Sequence, residues 1–380
     1  IPGSESWLPD RSAVIAGAVV LRVLFRGSPE RIVSGGCGGR GLFRLWAFDE
    51  SDAVMKSRIA VMVSSAFVLV LGGLWLRVTV AGSDELPPLH TRMEIPTSQG
   101  RRECVIHVPV SCDGSRPAAL VIMLHGFGGT ALNAARETGW SEKADREGFI
   151  IVYPEATRPD RTGPANFRRN PQAWNDGSGR FHAAAEGVDD VAFIGALIDR
   201  IGESCRIDAG RIFVTGFSNG ASMAFRLGAE LSQRITAIAP VSGTCWTGQL
   251  ESAKAVPLCY ITGTADSLNP LEGGYPQLAF GGREQGGAEK PAVQTFIDRW
   301  GSVLGCAAQP VLDETVDGVR RRQYGSDRGP CNVVFVTVED LGHHWPGGER
   351  QVAEFLVGRH NRKLKATDEI WNFFKLRQKR

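Results

Sequence analysis

Arg211-Ile212-Phe213-Val214-Thr215 runs directly into Gly216-Phe217-Ser218-Asn219-Gly220, and this stretch decides the reading of the chain. Its first half reads as a buried strand. Behind it, Ala221, Ala224, Leu227 and Leu231 recur at helical spacing. A Gly-x-Ser-x-Gly set between a strand and a helix is the context of a nucleophile elbow. The turn is so tight that the serine is held in a strained backbone conformation. Gly216 and Gly220 keep side chains out of the space where strand and helix nearly touch. Ser218 then stands up into the site above a helix N-terminus. The pentapeptide alone occurs by chance in many proteins, so its weight comes from the elements on either side.

Working outward, the same strand–helix alternation fills the chain from about Arg101. Cys104 to Val110 is a strand candidate, and Asp113-Gly114-Ser115 is a turn. Ala118 to Leu124 is a fully apolar strand that ends in His125-Gly126-Phe127-Gly128-Gly129. Ala131 to Gly148 reads as one helix and Phe149 to Tyr153 as a buried strand. Asn166 to Ala185 is a loop carrying Trp174-Asn175-Asp176-Gly177. Val188 to Ser204 is amphipathic, with Val191, Ile194, Ile198 and Ile201 on one face. Beyond the elbow come strands Ile235 to Pro240 and Val256 to Thr262, then a helix over Lys290 to Leu304. A strand over Val333 to Val338 and a closing helix over Thr367 to Leu376, capped by Thr367, complete the series. Continuous apolar strands alternating with helices predict a mostly parallel sheet covered on both faces, an α/β fold.

A serine needs a base and an orienting acid to become a nucleophile. On this arrangement the order along the chain is serine, acid, histidine. Asp266 follows the strand ending at Thr262, at the end where such sheets bind ligands. His343 follows the strand ending at Val338, in Leu341-Gly342-His343-His344-Trp345-Pro346-Gly347-Gly348. Singly, the aspartate reads as a turn or cap residue and the histidine as a loop residue. Together with Ser218, in this order and at these strand ends, they predict a Ser-His-Asp triad. The oxyanion donors expected are the backbone N–H groups of Asn219 and Phe127, with His125 bracing the loop. Trp174 and Trp345 are either substrate-stacking rings or core. Asp189 and Asp190 open a helix and read as structural. Neither a metal site nor a cofactor site is predicted: His343 and His344 diverge as neighbours and no further ligands accompany them.

The ends and the bulk numbers add limits. The chain has 380 residues, 43% hydrophobic and 22% charged, with net charge +2, which suits a globular protein and gives no basic groove for nucleic acid. Residues 1–54 are an unassigned Gly-rich extension. They contain no Met, so Ile1 reads as a fragment start, a processed end or mistranslated upstream sequence. Gly36, Gly38 and Gly41 match a G-x-G-x-x-G spacing but lack the strand, helix and acidic residue of a dinucleotide site, and read as flexible. From Met55, Lys56 and Arg58 precede an uncharged, mostly apolar run over 59–76. Residues 55–81 therefore read as a signal peptide or a membrane anchor, and 82–100 as a linker to the folded domain 101–380. Eight cysteines point to export.

From Arg101 to Phe374 the motifs resemble the polyhydroxybutyrate-depolymerase and feruloyl-esterase family of α/β-hydrolases. The pieces are VIMLHGFGG, AWNDG, GVDDVAF, RIFVTGFSNGASMAFRL, ITAIAPVSG, GTADSLNP and GHHWPGG. The last resembles the family pattern Gly-His-x-Trp-Pro-Gly and sets the histidine at His343. The resemblance implies cofactor-free hydrolysis of carboxylic esters: feruloyl or acetyl esters of plant polysaccharides, or short hydroxyalkanoate esters. No appended polymer-binding domain is expected, which makes attack on solid polyester granules less favoured. A peptidase, an acyltransferase or a non-catalytic carbohydrate-binding relative would share the fold. Similar sequences carry cysteines near Cys306 and Cys331, which implies a bridge between them; Cys104–Cys112 is a second candidate.

Overall fold

A computed structural model of the chain describes residues 89–248, 256–278, 288–325, 332–350 and 352–379. The extension 1–54, the expected signal or anchor 55–81 and Cys331 lie outside the described residues. Among the described residues, no helix is long and apolar enough to cross a membrane.

The described strands are β1 (His90–Thr97), β2 (Gly100–His107), β3 (Ala118–Leu124), β4 (Ile150–Pro154), β5 (Ile207–Phe217), β6 (Ala237–Val241), β7 (Leu258–Gly263), β8 (Leu312–Val316), β9 (Val319–Tyr324) and β10 (Val333–Val338). They form one sheet in the order β1-β2-β4-β3-β5-β6-β7-β10-β9-β8. Its centre, from β4 to β10, is parallel, while β1–β2 at one edge and β9–β8 at the other are antiparallel. The alternation of side chains along each strand splits the apolar runs between two cores. On β3, Leu120, Ile122 and Leu124 face one core while Val121 and Met123 face the other. The first core is closed by α4 (Asp190–Ser204), α5 (Asn219–Glu230) and α6 (Val293–Val303). The second is closed by α1 (Ala131–Thr138), α2 (Trp140–Glu147) and α8 (Ala366–Phe374), with Trp140, Phe149, Trp371 and Phe374 in ring contact. The short helices α3 (His182–Ala185) and α7 (Glu354–Val357) lie in the loops. Topology positions the site. After β3 the chain moves to β4 on one side, then returns to β5 on the other. The ends of β3 and β5 thus flank a switch point, where open α/β sheets bind ligands.

Several expectations are corrected. The stretch 82–100 is not all linker, because His90–Thr97 pairs antiparallel with β2 and buries Ile95 completely. Its charges and Pro96 are tolerated because it is an edge strand. The single helix over 131–148 is two helices, broken at Gly139, whose φ is 66°. The closing helix starts from Lys365, and Thr367 is not its cap: its hydroxyl is donated to the Thr138 carbonyl instead. A further hairpin, β8–β9, turns at Asp317-Gly318, both at positive φ, between two short strands. Cys104 is a free, buried thiol on β2, so the Cys104–Cys112 bridge is absent.

Candidate active site

The elbow is built as the sequence requires. Strand β5 ends at Phe217, helix α5 begins at Asn219, and Ser218 between them has φ 55° and ψ −117°. This is a strained conformation for a residue with a Cβ, of the kind that clusters at functional sites. The Ser218 N–H is tied to the Val241 carbonyl at 3.0 Å, which fixes the turn against β6. A Cβ on Gly220 would sit 2.7 Å from the Leu124 carbonyl carbon and closer still to two carbonyl oxygens, those of Leu124 and His125. A Cβ on Gly216 would run into the Gly220 carbonyl. The two glycines thus let β3, β5 and α5 converge under the serine.

Asp266 and His343 lie 77 residues apart in sequence and meet because β10 lies beside β7, with Val338 paired to Gly263. The loops leaving those paired ends carry the two side chains. His343 Nδ1–H is donated to the Asp266 carboxylate, 2.9 Å from Oδ2 and 3.0 Å from Oδ1. The Leu268 and Asn269 N–H groups also donate to Oδ1. Burial alone would raise the Asp266 carboxyl. His343, Lys290 and the Asn269 N–H outweigh it and hold the group below its ordinary value, as a carboxylate. Asn269 locks the acid loop by accepting from the Thr244 hydroxyl and donating to the Tyr260 hydroxyl. On the other side, the His343 ring lies 4.8 Å from the Phe217 ring, centroid to centroid. Phe217 is the residue before Ser218. Among the described residues no hydrogen bond joins Ser218 to the imidazole. Such contacts are often long before substrate binds.

The loop after β3 folds back beside the elbow. Gly128 N–H is donated to the Gln172 carbonyl and Gly129 N–H to that of Gly126. Among the described residues, no acceptor is bonded to the N–H of Phe127 or of Asn219. His125 braces the loop: Nδ1–H is donated to the Gly126 carbonyl and Nε2 accepts from Ala156 N–H. Burial lowers its pKa, so the ring is neutral and both nitrogens are engaged.

The two tryptophans are placed elsewhere than a substrate-stacking role requires. Trp174 is fully buried, with its indole N–H on the His125 carbonyl. Trp345 is buried in the second core, with its indole N–H on the Thr367 hydroxyl. Neither presents a ring face to solvent. The accessible rings near the site are others. Phe127 stacks on Phe181 at 4.8 Å and meets the edge of Phe167, which is 40% exposed. Arg180 bridges Phe181 and Trp246 through its guanidinium. These rings lie in loops of no regular period, and only the glycines around Phe127 hinted at a site there. Asp189 caps α4, while Asp190 accepts from Arg102 and from Asn175 N–H, so both are structural. His344, neighbour of His343, turns away to donate to the Gly358 carbonyl. Among the described residues no His, Cys, Asp and Glu group is arranged to hold a metal ion.

Sheet topology, elbow and flanking loops define the class: this is an α/β-hydrolase. Residues 106–277 match the phospholipase/carboxylesterase family, and the chain is a carboxylic ester hydrolase. It is 27% identical over 277 residues to a putative esterase, NocK, of Nocardia uniformis subsp. tsuyamanensis, covering 68% of this chain and 74% of that protein. It is 23% identical to poly(3-hydroxyalkanoate) depolymerase C of Paucimonas lemoignei, over 66% of this chain and 60% of that one. It is 25% identical to a probable feruloyl esterase C of Aspergillus flavus, over 61% and 78%.

Proposed function

We propose that the chain is an exported serine esterase that works through an acyl-enzyme. Ser218 attacks the ester carbonyl, and His343 takes its proton and passes it to the departing alcohol. Asp266 keeps the imidazole in the tautomer with Nδ1–H and stabilises its charged form. The N–H groups of Asn219 and Phe127 receive the oxyanion. Water then enters by the same route and releases the acid. The observation that carries this reading is the Asp266–His343 pair at the strand ends that also bear the strained Ser218.

The acyl group favoured is a hydroxycinnamoyl, acetyl or short hydroxyalkanoyl group, as in the names of the relatives and the motif resemblance. Phe127, Phe167 and Phe181 form an aromatic cluster on the loop that carries an oxyanion donor, a lining that suits a planar aromatic acyl group and puts feruloyl esters of plant polysaccharide first. Export rests on the charged-then-apolar pattern of residues 56–76, as signal peptide or anchor. The test is turnover of p-nitrophenyl acetate and methyl ferulate by wild type and Ser218→Ala. A loss of roughly 10⁴-fold or more is expected; equal turnover by the two proteins removes Ser218 from the chemistry.

A further inference from the structure

The segment from Gln172 to Asp176 touches both halves of the site and belongs to neither. Toward the loop after β3, the Trp174 indole N–H is donated to the His125 carbonyl at 2.9 Å. The Gln172 carbonyl accepts Gly128 N–H at 2.8 Å, and the Gln172 amide is donated to the Gly129 carbonyl. Residues 125, 128 and 129 are thus pinned, on either side of Phe127. Toward the elbow, the Asn219 side chain is held on both its ends. Its Oδ1 accepts Trp174 N–H at 2.8 Å, and its Nδ2 is donated to the Asp176 carboxylate at 2.8 Å and to the Trp174 carbonyl at 3.2 Å. Asp176 is buried, 1% exposed, and is itself fixed by Ser178 and Arg180.

We propose that Asp176 and Trp174 are positioning residues that set the spacing between the two oxyanion donors, Phe127 N–H and Asn219 N–H. This deepens the function proposed above and rests on it. Asn219 is the first residue of α5, and its side chain is clamped through both amide atoms. Its backbone N–H is thereby restrained beside the serine. The other donor sits on a loop whose neighbours hang on the same strap. The separation of the donors is therefore set by three residues of one segment, Gln172, Trp174 and Asp176, and not by the two strands alone. Donors held in place before reaction lose nothing to reorganisation as charge develops.

The experiment uses the full chain with Asp176→Ala, Asp176→Asn and Trp174→Phe, and Ser218→Ala as reference. Readouts are kcat and KM for p-nitrophenyl acetate, and the inhibition constant of a trifluoromethyl ketone, whose adduct carries an oxyanion. Removing one donor outright costs roughly 10²–10³-fold; releasing it is expected to lower kcat about 10–100-fold in Asp176→Ala. KM should stay within about twofold, and ketone affinity should weaken in step with kcat. Asp176→Asn keeps an acceptor for Asn219 and should recover much of the loss. Trp174→Phe keeps the buried ring but not the indole N–H, so it tests the other end even if Asp176→Ala does not fold. Folded variants with wild-type kcat, or a kcat loss with unchanged ketone affinity, overturn the positioning role. Undiminished turnover by Ser218→Ala would instead overturn the serine mechanism itself.

Discussion

Replacing Gly220 by alanine tests the convergence beneath the serine. The new Cβ would meet the Leu124 carbonyl carbon at 2.7 Å, where ordinary contact begins at 3.4 Å, so the backbones must part by about 0.7 Å or more. The obstacles are main-chain carbonyls, and no side-chain rotation relieves them. Overpacking of this kind costs about 1–3 kcal/mol. Alanine's better helix propensity returns at most about 1 kcal/mol of that, which at full offset leaves a net loss of up to about 2 kcal/mol. The same displacement moves the elbow away from the loop after β3. A shift of about 1 Å in a reacting constellation costs up to about 10²-fold in rate. Urea denaturation and kcat on p-nitrophenyl acetate measure the two effects. Gly195→Ala is the internal control. It lies in α4 with nothing within 4 Å of its would-be Cβ, and should gain about 0.5–1 kcal/mol with kcat unchanged. If Gly220→Ala keeps both the urea midpoint and kcat of the wild type, the steric account of the elbow is wrong.

Other consequences follow from groups around the site. Burial lowers the His344 pKa to about 4 from 6.5. The unfolded chain therefore takes up that proton first, and stability present above about pH 6.5 is lost as pH falls toward 4, by at most about 3 kcal/mol. His344→Gln should flatten stability between those two pH values in urea titrations; an unchanged slope refutes the assignment. The Arg102–Asp190 pair is buried, at 2.8 Å, and Asp190 also holds Asn175 N–H. Asp190→Ala leaves the arginine uncompensated and should cost about 3–5 kcal/mol in urea melts. Burial pushes the Cys104 thiol up to about 12, so this cysteine should resist DTNB in the native protein and react after unfolding. Peptide mapping that finds Cys104 modified under native conditions would contradict its placement.

Much of this molecule was legible one element at a time. The central strands announced themselves as apolar runs because both faces of a parallel strand are buried. The elbow declared itself because only glycine fits where strand, helix and neighbouring backbone crowd together. What escaped was governed by neighbours. His90–Thr97 reads as a polar linker until β2 lies alongside and takes Ile95 into the core. Trp345 stands two residues from His343 and Trp174 lies in the loop between β4 and α3, where a substrate-stacking ring could also sit, yet each ring turns inward to a buried acceptor.

The chain by itself determined the order of strands and helices, the tight turn at Ser218 and the chemical types available after each strand, since these depend on local sterics and side-chain periodicity. That β10 lies against β7, bringing His343 to Asp266, and that the segment from Gln172 to Asp176 ties the two sides of the site together, emerge only from three-dimensional packing. Strand neighbours are chosen by which faces bury together and which backbone groups find partners across the sheet. No local stretch of sequence encodes that choice.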